Sequence, residues 1–278
     1  MSFRLGGKSR WGQVDGDRVL PLDHVYSSLK AALQAGGLAQ RLRGEAEAGW
    51  LALDDVEFAP LLPDPGKILC IGLNYQKHRL ETGRAEVSHP TVFTRFADSQ
   101  TAHRASILRP RESTNLDYEG ELAIVIGTGG RRISAAAALD HVAGYSCYND
   151  GSVRDWQAHT IQFTPGKNFP GTGAFGPWLV TPDEFGPPSG QRIQTRLNDE
   201  VMQDAVLEDM IFSIPELIEY CSTFTALSPG DVIVTGTPGG VGVKRNPPVF
   251  MKPGDRVEVE IEGIGVLVNT VADDAGGA

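Results

Sequence analysis

Three acidic residues, Asp117, Glu119 and Glu121, stand two apart in the stretch LDYEGELAIVIG, residues 116–127. In an extended chain, residues i, i+2 and i+4 turn to one side, so this spacing aims three carboxylates at one place. The apolar run LAIVI that follows has the β-branched composition of a strand buried on at least one face. A further acid, Asp150, ends the strand-like AGYSCYND. Carboxylates on one strand face and a third from a neighbour are a ligand set for a hard divalent cation. All-oxygen ligation selects Mg²⁺, Mn²⁺ or Ca²⁺ over zinc. A solvated acidic face followed by an Asp-Gly turn would use the same residues, and spacing alone leaves both readings open.

A second group lies in GLNYQKHRLETG, residues 72–83. His78 and Glu81 are three apart, so on a helical turn the carboxylate can reach the imidazole and orient it as a general base. Gly72 and Gly83 flank this segment and suit a short helix that moves as a lid; an exposed polar helix with an incidental histidine is the plainer alternative. The third group is cationic. Arg95, Arg154 and Lys167 sit in apolar or glycine-rich surroundings rather than in charge runs. Singly each reads as a surface charge; together with a bound cation they would hold a dicarboxylate or keto acid.

Several chemistries lose their platform. GTPGGVGVKRNPP follows a strand but cannot open a helix, so it cannot cradle a dinucleotide phosphate. GGKS lacks the upstream glycine of a phosphate loop, position 2 being serine. No HExxH, GxSxG or zinc-type Cys/His spacing occurs. A formal charge of −10, from 35 acidic and 25 basic residues, argues against nucleic acid and anionic membranes as partners. Cys70, Cys147 and Cys221 are odd in number, lie in apolar runs and form no CxxC, which predicts buried free thiols in a reducing compartment. No apolar secretory core and no stretch of 18 apolar residues is present, so a cytoplasmic protein is expected.

The elements that must position these groups are mostly strands: KILCIGL, TVFTRF, ELAIVIG, HVAGYSCYND, GPWLVT, RIQTRLND, DVIVTGT and RVEVEIEGIGVLVNTV. RWGQVDGDRVLPL carries Asp-Gly between alternating runs, a hairpin signal. Helical composition appears in residues 25–53, interrupted by Gly36-Gly37, and in SAAAALDHV. The clearest helix is SIPELIEYCSTFTAL, where Ser213 and Glu216 form a capping box, Pro215 sits in the first turn, and Ile214, Leu217, Ile218, Cys221 and Phe224 recur at helical spacing. Helices are too few for a βαβ repeat, so a mostly β (α+β) sandwich or barrel with helices attached is predicted. Prolines 60, 63 and 65 mark a boundary. The expected division is a small N-terminal α/β domain over 1–65, a catalytic domain over 66–272 and a disordered tail over 273–278.

With these motifs in hand, the chain resembles the fumarylacetoacetate hydrolase family from about residue 66 to residue 271. The resemblance rests on GLNYQKHRLETG, LDYEGELAIVIG, AGYSCYNDGSVRDWQ, GKNFPGTGAFGPW, the stretch from DMIFSIPELIEY to TGTPGGVG, and MKPGDRVEVEIEGIGVL, all in the family's order. It implies a mixed β-roll, a homodimer and a divalent metal, most often Mg²⁺. Carried over by position, it implies that Glu119, Glu121 and Asp150 are metal ligands, with Asp117 behind them. His78 and Glu81 match a base dyad and Lys167 an active-site lysine. Arg154 and Gln157 match residues that face substrate, and Thr237 matches a threonine that holds the substrate carboxylate. Arg95 stands where lysine is common, as a carboxylate clamp, and the segment AVLED departs from the small polar residues usual at the far end of the site. The implied reaction is metal-assisted hydrolysis of a C–C bond in a 2,4-dioxo acid through an enolate. Oxaloacetate decarboxylation and isomerisation or hydration of 2-hydroxydienoates are rivals on the same scaffold, and a non-catalytic keto-acid-binding protein is the remaining one.

Overall fold

The computed structural model describes every residue except 37, 39–48, 86, 277 and 278. Two mixed sheets face each other. The larger runs in the order Thr91–Arg95, Ile68–Gly72, Val232–Val234, Gly120–Ile126, Val142–Asp150, Gly173–Val180, Gln100–Ala102. The smaller runs Glu200–Val206, Arg192–Leu197, Arg256–Ile261, Gly265–Asp273, Ser106–Arg109. Most neighbours are antiparallel, with parallel pairs where Ile68–Gly72 meets Val232–Val234, Gly173–Val180 meets Gln100–Ala102, and Gly265–Asp273 meets Ser106–Arg109. The mostly-β mixed architecture is the one expected.

The strand Gly120–Ile126 shows why LAIVI is apolar throughout. Successive side chains alternate faces. Leu122, Ile124 and Ile126 point into the core shared with the smaller sheet, while Ala123 and Val125 point the other way, into a second core. That second core is roofed by the N-terminal residues Trp11, Leu20, Leu29, Ala32 and Leu33. They come from a five-stranded antiparallel sheet, Leu51–Ala52, Arg18–Pro21, Lys8–Asp15, Ser2–Leu5, Glu57–Phe58, and from the helix Leu29–Gln34, whose Ser28 cap accepts from the Ala31 N–H at 3.1 Å. The N-terminal unit therefore shares its core with the large sheet. Its hairpin turns at Gly16-Asp17, with Gly16 at φ +59°, Asp15 pairing with Arg18.

The helix Ile214–Phe224 begins as read: Glu216 accepts from the Ser213 N–H and hydroxyl, both at 2.7 Å. Ile214, Leu217, Ile218 and Cys221 are buried, but Phe224, read as part of that stripe, is 53% exposed, its ring edge-on to Tyr220. SAAAALDHV forms a 3₁₀ helix, Ala135–His141. Part of the helical reading over 25–53 lies outside the described residues. The final strand runs through Asp273, the first residue assigned to a disordered tail; Asp273 pairs in register with Arg109 and accepts from its Nε at 2.8 Å. The three cysteines are free and buried. Among the described residues, no helix is long and apolar enough to cross a membrane.

Candidate active site

Gly120 faces Asn149 and Glu121 faces Tyr148 across adjacent antiparallel strands, and the Asp150 N–H donates to the Glu119 carbonyl at 2.8 Å. This register brings Glu119, Glu121 and Asp150 to the same end of the sheet. One carboxylate oxygen from each lies within 4.8 Å of the others, and all three residues are buried. Asp117, the third acid of the i, i+2, i+4 series, does not join them. Its carboxylate accepts from the Gly242 N–H at 2.8 Å, the Val243 N–H at 2.9 Å and Arg154 Nε at 2.8 Å.

Cations close around two of the three. Lys167 Nζ donates to Glu119 Oε2 at 2.5 Å and to Asp150 Oδ2 at 2.6 Å. Arg154 bridges Asp117 and Glu119, its Nη2 lying 2.8 Å from Glu119 Oε1. Arg95 Nη1 donates to Asp150 Oδ1 at 2.6 Å. Four carboxylates (Asp117, Glu119, Glu121, Asp150) thus meet three cations (Arg95, Arg154, Lys167), an excess of one negative charge when all are ionised. The excess falls on Glu121, whose contact is with the Gly236 N–H at 2.5 Å. Burial, with Asp150 and Glu119 beside it, pushes the Glu121 carboxyl well above the usual carboxylate range. Burial opposes ionisation of Glu119 too, but Arg154 and Lys167 outweigh it and hold that carboxyl low. For Lys167 burial is likewise outweighed, here by Asp150 and Glu119, and its ammonium is held above the ordinary lysine value.

These residues fit a hard divalent ion. The donors are all carboxylate oxygens, the spacing suits metal–oxygen bonds of about 2.0–2.6 Å, and one carboxylate lacks a counter-charge.

The helix Gln76–Thr82 stands over the site and ends at Gly83, which takes the left-handed conformation at φ 68°. His78 Nδ1 and Glu81 Oε1 are 2.7 Å apart, and Glu81 Oε2 accepts from the Gly240 N–H at 2.9 Å. Burial would raise the Glu81 carboxyl, but the His78 bond and the Gly240 N–H lower it, so Glu81 stays ionised. The helix is thus pinned to the loop after Thr237. That loop is tied to the acidic strand by Gln203: its Nε2 donates to Thr237 Oγ1 at 2.7 Å and its Oε1 accepts from the Gly120 N–H at 2.9 Å. Thr237 Oγ1 in turn donates to the Gly120 carbonyl at 3.0 Å.

A cavity of about 690 Å³ opens here, lined by His78, Glu119, Glu121, Arg154, Gln157, Lys167 and Thr237 among others. Gln157 Oε1 accepts from Arg154 Nη1 at 2.9 Å. Glu81 and Asp150 support this wall from behind. Arg95 differs from its reading as a substrate clamp. Its side chain is fully buried, and besides Asp150 it donates to the Gly151 carbonyl at 3.0 Å and Thr172 Oγ1 at 2.7 Å, away from the cavity wall. The reason is register: Arg95 pairs with Ile68 at the end of an edge strand, which directs it behind Asp150. AVLED, residues 205–209, does not line the cavity either. The sequence reading passed over Gln203 and Arg79. Gln203 acts across 83 residues, and no local pattern announces such a contact.

Three buried carboxylates that could hold a metal ion, beside a cavity lined by His78 and by cationic side chains on a two-sheet β scaffold, are the arrangement of an enzyme that acts on small molecules. The chain belongs to the fumarylacetoacetate hydrolase family, whose C-terminal domain model matches residues 67–272. A mitochondrial oxaloacetate tautomerase of Bos taurus is 43% identical over 223 residues, covering 80% of this chain and 71% of that protein. A fumarylacetoacetate hydrolase from psychrophilic Exiguobacterium antarcticum superimposes with a TM-score of 0.87 at 35% identity, covering 98% of each chain. A maleylpyruvate hydrolase from Sphingobium sp. SYK-6, solved with manganese(II) and pyruvate, superimposes with a TM-score of 0.80 at 25% identity, covering 98% of this chain and 99% of that one.

Proposed function

We propose that this protein is a divalent-metal enzyme, Mg²⁺ being the ion put forward, that acts on a 2-oxo acid through an enolate. The reaction put forward is hydrolysis of the C–C bond of a 2,4-dioxo acid. The observation that carries it is His78, held by Glu81 at 2.7 Å and lining the same cavity as Glu119, Glu121 and Lys167. Glu119, Glu121 and Asp150 would hold the ion, which would supply Lewis acidity toward the 2-oxo group. His78 takes a proton from a water that attacks the 4-oxo carbon, and ionised Glu81 stabilises the imidazolium that forms. The bond between carbons 3 and 4 breaks, and its electron pair passes to carbon 3 and the 2-oxo oxygen. Lys167 donates toward that oxygen as charge develops on it, and Arg154 with Thr237 orients the substrate carboxylate.

Tautomerisation is the second reading, supported by the bovine relative that bears that name. It asks less of the site: His78 moves one proton between carbon 3 and solvent, and no water attacks. Side-by-side assays of acetylpyruvate, enol-oxaloacetate and a 2-hydroxydienoate with Mg²⁺ or Mn²⁺ test both readings. Release of acetate and pyruvate from the first supports hydrolysis, while faster ketonisation of the second alone supports tautomerisation. Exhaustive chelation should abolish either activity, with recovery on adding Mg²⁺. Full activity in the chelated protein would sink the metal reading.

A further inference from the structure

The helix Gln76–Thr82 brings two ionisable side chains to the cavity wall, and the chemistry above uses one of them. Arg79, the residue after His78, is only 9% exposed. Its Nη2 donates to Gln76 Oε1 at 3.0 Å, a neutral acceptor. Among the described residues its buried Nε has no acceptor, and no carboxylate pairs with its guanidinium. The other buried cations, Arg95, Arg154 and Lys167, each lie against a carboxylate. A guanidinium cannot shed its charge by losing a proton at any pH where the protein is folded. Burying it without a counter-ion is strongly unfavourable. An unpaired arginine held inside a ligand cavity is a place for a ligand's anion.

The rest of the wall agrees. Arg84 and Lys244 are exposed, also line the cavity, and have no ion pair among the described residues. Among the described residues, the acids on the wall are Glu119 and Glu121.

We propose that Arg79 receives a second carboxylate of the substrate, making it the residue that selects dicarboxylic 2-oxo acids. The molecule is then held at both ends, by its 2-oxo acid group at the cage and by its other carboxylate at Arg79, with Arg84 and Lys244 at the mouth. The inference rests on the 2-oxo acid reading above. A guanidinium offers two parallel donors to a carboxylate. A ligand with an alkyl group there would leave both unpaired, which is how polar sites discriminate.

The test compares two ligands of equal chain length, 2-oxoglutarate and 2-oxopentanoate, binding to the Mg²⁺-loaded protein by calorimetry. Wild type is expected to prefer 2-oxoglutarate. In Arg79→Met the ratio of the two affinities falls by about 10- to 100-fold, and in Arg79→Lys part of it returns. Since methionine removes an unpaired buried charge, the unfolding midpoint of Arg79→Met is expected to hold or rise, whereas a merely structural arginine would lower it. An unchanged ratio in Arg79→Met overturns the proposal, as does equal weakening of both ligands, or no binding of either by wild type. A ratio that collapses in a protein without turnover of any 2-oxo acid keeps Arg79 assigned and removes the reaction. Turnover with an unaltered ratio removes Arg79 alone.

Discussion

His78 owes its orientation to Glu81, and Glu81 owes its own to the Gly240 N–H, a chain of two bonds of 2.7 and 2.9 Å. Replacing His78 with alanine is expected to cut kcat by about 10²- to 10⁴-fold. Divalent-ion affinity should persist, because His78 is not one of the three clustered carboxylates and its ring is held by Glu81. Steady-state kinetics beside a metal titration would check both halves, and near-wild-type turnover would take His78 out of the mechanism. At this scale the sequence was legible wherever a short period governs direction. Two-residue spacing put Glu119 and Glu121 on one face, and three-residue spacing joined His78 to Glu81. It misled at Asp117, because the strand breaks after that residue and backbone N–H groups from 125 and 126 positions away claim its carboxylate. It was silent on Arg79, since helical spacing tells which residues neighbour one another and not which of them has a counter-ion.

The glycine-rich segment after Thr237 was excluded as a phosphate loop, and its actual work is to let backbones approach. A Cβ on Gly242 would lie 1.9 Å from the Val249 carbonyl oxygen and 2.6 Å from Asp117 Oδ1. Gly242→Ala should therefore destabilise the protein on the order of 3 kcal/mol, read as a lower denaturant midpoint. The strain falls on the Val249 backbone and on Asp117, which anchors Arg154, so activity should drop even where the variant folds. Strands were the most legible elements, because LAIVI and VIV admit no other buried arrangement once helices are too few to cover a parallel sheet. The edge strand Thr91–Arg95 was recognised as a strand, yet the direction of Arg95 depends on its pairing with Ile68, a partner 27 positions away in the chain, and no local pattern encodes that.

The N-terminal unit was legible as a separate stretch, but its hydrophobic residues interdigitate with Val125, Tyr148 and Phe175 of the large sheet. His103 is a second tie between them. Its ring meets Phe58 edge-on at 4.6 Å, and its Nδ1 accepts from the Val268 N–H at 3.0 Å. Burial, helped by Arg104, lowers its pKa from 6.5 to about 4. The folded state thus keeps His103 neutral where the unfolded chain takes up a proton. Its contribution to stability is whole above pH 6.5 and declines as pH falls from there toward about 4. In His103→Gln, which retains an acceptor, unfolding free energy measured against pH should lose up to about 1.4 kcal/mol per pH unit of slope across that window; equal slopes would show that this ring titrates freely. The placement of the cage has a wider consequence. Glu119, Glu121 and Asp150 stand on or against central strands buried on both sides, whereas Arg79, Ile161 and Lys244 stand on segments outside the sheet ladders. A side chain on those outer segments can therefore be exchanged without breaking a rung of either sheet, whereas any change at Glu119, Glu121 or Asp150 is felt by the interior packed around it.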